Sequence, residues 1–125
     1  PARAGRFRAP AGITVGADGS VFLADEASHR VLAFAPDLTF LATWGGAGSA
    51  EGRLSRPVAL SVAADGRLYV ADRGNGRIDA FLARQERFTG MWSQYARADR
   101  ANGVSPFLPA DVVTTADGKV VVLDW

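Results

Sequence analysis

The chain has 125 residues, of which 48% are hydrophobic, and its 14 basic and 13 acidic side chains leave a net charge of +1. A charge this close to zero gives no overall field that would recruit nucleic acid or an anionic membrane. The absence of cysteine excludes disulfides, thiolate metal sites and thiol nucleophiles, and no apolar run approaches the roughly 18 to 20 residues of a membrane span.

In chain order, short apolar stretches rich in Val, Ile, Phe and Leu come in repeating groups of four. These residue types favour strands. The first two groups span residues 10–44 and 57–92, and residues 109–125 contain the first half of a third. An Asp-Gly pair separates the first two stretches of each group, which is typical of a hairpin turn because glycine tolerates positive φ. We therefore predict antiparallel four-stranded units, two complete and one half.

The clearest hairpin runs from Arg67 to Phe81. Two apolar runs, Leu68–Ala71 and Ile78–Phe81, flank the glycine-rich turn Asp72–Gly76. The same pattern occurs 47 residues earlier in the chain, and a period near fifty residues indicates a repeat architecture. Four-stranded antiparallel units in tandem predict an all-β fold, a β-propeller in which the sheets pack radially around a channel.

The repeated residues also resemble a known family. Proline, a hydrophobic strand, Asp-Gly, a strand ending Val-Ala-Asp, and then Asn-Gly-Arg-Ile with an aromatic together resemble the NHL repeat, in register from about residue 7 to residue 125. The resemblance implies an NHL-type β-propeller. Propellers have about four to eight blades, so two and a half blades form an incomplete ring. We expect a fragment of a longer protein, with several copies or a partner closing the ring as the alternative.

Aspartates end the second strand of each group, and an arginine follows the first two of them five residues later. Carboxylates in this pattern could serve acid–base catalysis or calcium binding. A catalytic site is seldom copied into every blade, so we predict instead that each aspartate accepts hydrogen bonds from its own turn and pairs with the arginine across it. The structural repeat positions are Asp25, Arg30, Asp72, Asn75, Arg77 and Asp124.

The chain offers little for a metal or a cofactor. His29 is the only histidine and stands where Gly76 stands in the next repeat, while a zinc site normally needs three or four ligands. The glycine-rich stretch Gly45–Ser49 lacks both the lysine and the following helix of a phosphate-binding loop. We predict no cofactor, no metal site and no catalytic residue.

The amino-acid sequence of the second repeat also resembles that of the propeller of peptidyl-hydroxyglycine amidating lyases. In that family a zinc-binding histidine follows the conserved proline of a blade. At the corresponding positions this chain has Ala11, Val58 and Ala110, which cannot bind a metal ion. The resemblance to the lyases therefore extends to the scaffold and not to the zinc site.

The antiparallel order places the loops after the second and fourth strands of each group on one face, which we expect to be a recognition surface. Tyr and Arg are favoured at interfaces, so the predicted binding residues are Arg53, Arg73, Tyr95, Arg97 and Arg100.

Trp44 and Trp92 occupy matching positions and are expected to pack between blades, with base stacking as the alternative. Acidic residues lie among the arginines, which disfavours RNA.

These observations predict a protein-interaction or scaffold module that is not an enzyme and belongs to a larger propeller or a multi-subunit assembly. Its expected partners are proteins or further blades, without nucleic acid. The alternative is a fragment of a propeller enzyme, amidating-lyase-like or lactonase-like, whose ligands lie outside this segment. RNA binding through the loop face is the third hypothesis.

Overall fold

The computed structural model describes residues 7–83, 87–92 and 108–124. Within these ranges the secondary structure is almost entirely β, with one turn of 3-10 helix at Arg73–Asn75. No helix in the described ranges is long and apolar enough to cross a membrane. The strands are β1 (Pro10–Val15), β2 (Val21–Asp25), β3 (Arg30–Phe34), β4 (Phe40–Gly45), β5 (Pro57–Val62), β6 (Arg67–Asp72), β7 (Arg77–Leu82), β8 (Arg87–Trp92), β9 (Pro109–Thr114) and β10 (Val120–Asp124).

The strands form two antiparallel four-stranded sheets and one hairpin. Strands β1 to β4 pair in sequence order and make blade 1, strands β5 to β8 make blade 2, and β9 with β10 make the half-blade. Every pairing is between neighbours in the chain, as expected for strands joined by short turns. The predicted all-β propeller segment with four-stranded antiparallel blades is confirmed.

The Asp-Gly turns join the first and second strands of each unit. Gly19, Gly66 and Gly118 have φ of 88°, 89° and 88°, a conformation that side chains rarely adopt. The aspartate before each of the first two glycines accepts a hydrogen bond from the backbone two residues on, at 2.9 Å for Asp18 and 3.0 Å for Asp65. The glycine supplies the backbone conformation and the aspartate fixes it.

Blades 1 and 2 pack face to face through an apolar cluster. Trp44 lies between them, with its ring centroid 6.2 Å from that of Phe22 in its own blade and 6.0 Å from that of Phe81 in blade 2. The other members include Ala24, Val31, Ala33, Leu54, Leu60, Leu68 and Val70. Trp44 therefore packs between blades, while the side chain of Trp92 lies outside the described residues.

A second apolar cluster joins blade 2 to the half-blade, with Tyr69 and Ile78 on one side and Val112 on the other. The first strands of the three units also contact one another in succession, β1 with β5 and β5 with β9. A hydroxyl bridges each pair. Val62 N donates to Thr14 Oγ1 at 3.3 Å, and Thr114 N donates to the hydroxyl of Ser61 at 3.1 Å. The first strands therefore line the inner side of the arc, as in a propeller.

Candidate functional site

The most elaborate polar site lies where residues 46–56, here called the connecting loop, pass from blade 1 to blade 2. Arg77, at the start of β7, is only 6% exposed. Its Nη1 donates to Ser49 O at 2.8 Å, and its Nη2 donates to Ala50 O at 3.1 Å and to Arg53 O at 3.0 Å. A planar guanidinium with several donors suits such a set of carbonyls. Arg77 therefore holds the loop by its backbone.

Asp72, at the end of β6, holds the other end of the connecting loop. Its carboxylate accepts hydrogen bonds from Ser55 N at 2.7 Å and from the side-chain amide of Asn75 at 2.9 Å. The same amide donates to Gly48 O at 2.8 Å. Leu54 anchors the loop by apolar packing, because it is fully buried in the cluster between the blades.

Blade 1 repeats part of this arrangement. Asp25 accepts hydrogen bonds from the backbone N–H groups of Arg8 and Ala9, both at 2.8 Å, and from the hydroxyl of Ser28. Arg30 Nε lies 3.9 Å from the carboxylate. Burial alone would raise the pKa of Asp25, but these hydrogen bonds and the charge of Arg30 outweigh it and lower the pKa below its ordinary value.

Asp25 and Asp72 thus accept hydrogen bonds from their own turns, and both also bind the chain entering the blade. Sequence alone did not predict this second contact, because it depends on where the segment entering each blade lies in the folded chain. The side chain of Asp124 lies outside the described residues.

Asp79 is the buried group that sequence reasoning missed. It is fully buried on β7, on the face of blade 2 that meets blade 1, and its Oδ1 lies 2.8 Å from Arg77 Nε. In the sequence Asp79 lies within the otherwise apolar run Ile78–Phe81, which predicts a strand and not a charged site. Alignment of the two repeats would have revealed it, because the matching residue of blade 1 is Leu32.

The predicted binding residues are only partly described. Arg53 is exposed, and its Nη1 donates to Gly45 O at 3.0 Å, so that its side chain folds back on its own loop. Arg73 is half-buried in the 3-10 turn. Tyr95, Arg97 and Arg100 lie outside the described residues. Their role in binding a protein or RNA stays a prediction.

His29 has a structural role in the turn before β3. It has φ of 58°, close to the 63° of Gly76 at the matching position, and its Nδ1 accepts a hydrogen bond from Arg56 N at 3.0 Å. Arg56 also pairs with Glu26 at 3.0 Å. Within the described ranges no three His, Asp or Glu residues gather as metal ligands would.

The four-stranded blades, the apolar packing between them and the connecting loop define a segment of a β-propeller. The family model for the NHL repeat matches residues 7–34 and 54–81, which are the residues of blades 1 and 2 that carry the predicted pattern. The predicted resemblance to NHL repeats is therefore confirmed at two positions, one in each complete blade. No curated protein matches it in sequence.

Solved structures share the fold at low sequence identity. Hydrazine synthase of Kuenenia stuttgartiensis has a TM-score of 0.71 at 18% identity, covering 93% of this chain and 29% of that one. Virginiamycin B lyase from Staphylococcus aureus has a TM-score of 0.66 at 14% identity, covering 93% and 34%. Dihydro-heme d1 dehydrogenase NirN, in complex with DHE, has a TM-score of 0.72 at 16% identity, covering 93% and 23%. The chain spans about a third or less of each.

One prediction is overturned by these comparisons. We predict from the sequence that the chain is not an enzyme, because no catalytic constellation is visible in it. Three of the proteins that share its fold are a synthase, a lyase and a dehydrogenase by name. Function depends on particular sites that a fold carries and not on the fold itself, so a segment without a visible site does not indicate a protein without activity. That prediction is wrong.

Proposed function

We propose that this chain is a scaffold segment of a larger propeller enzyme, and that its two end faces bind further blades of the same four-stranded type. The catalytic ligands of that enzyme come from outside this segment. The enzymes that share the fold support this proposal. The main observation behind it is that matching apolar side chains are buried where a neighbouring blade covers them and exposed where none does.

The first end face is the side of blade 1 turned away from blade 2. Ile13 and Val15 on β1 are 65% and 61% exposed. The residue of blade 2 that matches Ile13 is Leu60, which is 5% exposed because blade 1 covers it. The same position is therefore buried wherever a blade precedes it, and a blade is the occupant that fits the exposed face.

The second end face is the side of the half-blade turned away from blade 2. Val121 and Leu123 on β10 are 50% and 62% exposed. Their counterparts in blade 2 are Tyr69 and Ala71, which are 8% and 0% exposed under the half-blade. Exposed apolar patches of this kind mark interaction surfaces.

Light scattering on the 125-residue chain tests the proposal. We expect concentration-dependent association of the wild type, because two complementary apolar faces are open to solvent. The double variant Ile13→Lys, Val121→Lys is expected to stay monomeric. The variant Leu38→Lys is the matched control, since Leu38 is 67% exposed in the turn between β3 and β4 and lies on neither end face.

A wild-type chain that stays monomeric at every concentration would contradict the proposal, as would association that persists unchanged in the double variant. In a longer protein that contains this segment, the double variant should lower the free energy of unfolding while Leu38→Lys leaves it unchanged.

A further inference from the structure

One guanidinium faces two buried carboxylates where blade 2 meets blade 1. Asp72 and Asp79 are 0% exposed and Arg77 is 6% exposed. Arg77 Nε lies 3.3 Å from Asp72 Oδ2 and 2.8 Å from Asp79 Oδ1. We call these three side chains the buried trio. With both carboxyls ionised, the buried trio would hold one uncompensated negative charge away from water.

The two carboxyls of the buried trio are not equivalent. Asp72 accepts hydrogen bonds from Ser55 N and from Asn75. Neither oxygen of Asp79 has a hydrogen-bond partner among the described residues, since Arg77 Nε lies close but is not aligned. Burying a carboxylate without donors is costly. A proton on Asp79 removes that charge and supplies a donor that Asp72 can accept.

The described surroundings provide no second cation. The neighbours of Asp79 on β5 and β6 are apolar, and so is the facing cluster of blade 1. The connecting loop contributes the apolar Leu54 and backbone carbonyls. The remaining charged or titratable side chains near this junction are Glu51, Arg53 and Arg56, which are exposed, Arg73, which is half-buried in the adjacent turn, and Glu26 and His29, which bind Arg56.

We propose that the buried trio is a proton-operated latch for the connecting loop: one proton on Asp79 keeps the loop closed between the blades, and loss of that proton releases it. The link is Arg77, whose Nε faces the carboxylates while its Nη atoms hold three loop carbonyls. An ionised Asp79 attracts the guanidinium and repels Asp72, which itself holds Ser55 N. This inference does not depend on the proposed function.

The direction of the pH response follows from the sign of the pKa shift. Burial is the largest cause, and together with the neighbouring Asp72 carboxylate it raises the pKa of Asp79 to about 8, against the lowering effect of Arg77. A carboxyl with a higher pKa in the folded state destabilises the fold as pH rises. That loss of stability begins above the ordinary value of 3.8 and is complete above about 8, and the latch opens at the upper end of this window.

Hydrogen exchange of the Leu54 and Ser55 amides tests the latch, since these groups donate to Gly46 O and to Asp72. After correction for intrinsic exchange, we expect loop opening in the wild type to increase by up to about tenfold from about pH 7 to about pH 9, with most of the rise below about pH 8. No such increase is expected in Asp79→Asn. None is expected in Asp79→Leu either, a variant that has the residue found at the matching position of blade 1. Asp65→Asn is the control, because Asp65 is an exposed carboxylate of the same blade.

An equal increase in the wild type and in Asp79→Leu would overturn the proposal, even if the asparagine variant failed to fold. A carbon-13 titration of the Asp79 carboxyl provides an independent measurement. A pKa near that of an exposed aspartate would also overturn it, whereas titration near pH 8 together with the loop response supports it.

Discussion

The close approach of strand β1 to strand β5 depends on a single glycine, Gly12. A Cβ added to Gly12 would lie 2.9 Å from Ala59 Cα and 3.2 Å from Val58 O. Both are backbone atoms, so no side-chain rotation can relieve the contact. Gly12 thus lets β1 lie directly against β5, where the inner strands of a propeller converge.

Gly12→Ala is therefore expected to lower the free energy of unfolding by about 1–3 kcal/mol, since overpacking forces a backbone shift. Urea denaturation of the chain measures this difference. Gly90→Ala is the matched control, because Gly90 also lies within a strand but a Cβ there meets nothing within 4 Å. Equal effects of the two substitutions would show that the inner strands can move apart at no cost.

At the scale of elements, the connecting loop is part of the structure of blade 2. It has no strand of its own beyond an isolated bridge between Ala47 and Leu54, yet its backbone carbonyls and N–H groups are bound by Arg77, Asn75 and Asp72. These side chains supply partners for backbone groups that no neighbouring strand pairs with. The ordered path of the loop thus depends on side chains far away in sequence.

Arg77→Lys tests this dependence. A lysine keeps the charge but cannot reach the three carbonyls that the guanidinium holds, so we expect a loss of about 1–3 kcal/mol in the free energy of unfolding. Arg30→Lys in blade 1 is the matched control, because the Arg30 side chain is 23% exposed, lies 3.9 Å from Asp25 and donates from Nε to Ser28 Oγ at 2.9 Å. Its expected cost is below about 1 kcal/mol. A larger loss for Arg30→Lys than for Arg77→Lys would contradict this account of the loop.

The difference between what could and could not be predicted from sequence follows from the range of the interactions. The Asp-Gly turns were predictable, since Gly19, Gly66 and Gly118 act through their own backbone. The path of the connecting loop was not, because Arg77 meets Ser49 only after two blades have packed together. The role of Asp79 depends likewise on burial between blades, which residue type alone does not reveal.

At the scale of the whole molecule, matching residues differ in environment according to their neighbours. Phe81 is 1% exposed and contacts Trp44 across the blade junction. Phe34, its counterpart in blade 1, is half-buried and stacks edge-on with Phe40 of its own blade, with ring centroids 5.9 Å apart. A phenylalanine at the same position of the repeat is therefore buried to a different extent in each blade of this open arc.

We expect Phe81→Ala to cost about 3–5 kcal/mol of folding stability, as is usual for truncation of a buried phenylalanine. Phe34→Ala should cost clearly less in this chain, because one side of Phe34 lacks a covering blade. Chemical denaturation of both variants gives the comparison. In a longer protein with a preceding blade the two costs should converge, and a persistent difference there would argue against burial as its cause.

The attachment of the connecting loop to blade 2 has a consequence for dividing the chain into transplantable modules. The loop follows β4 in sequence, yet its anchors Asp72 and Arg77 belong to the next blade. A module cut at Pro57, where β5 begins, would leave those anchors without the backbone that they bind. Grafting this blade into another repeat protein should therefore start at Gly46, so that the loop is transferred together with the side chains that fix it.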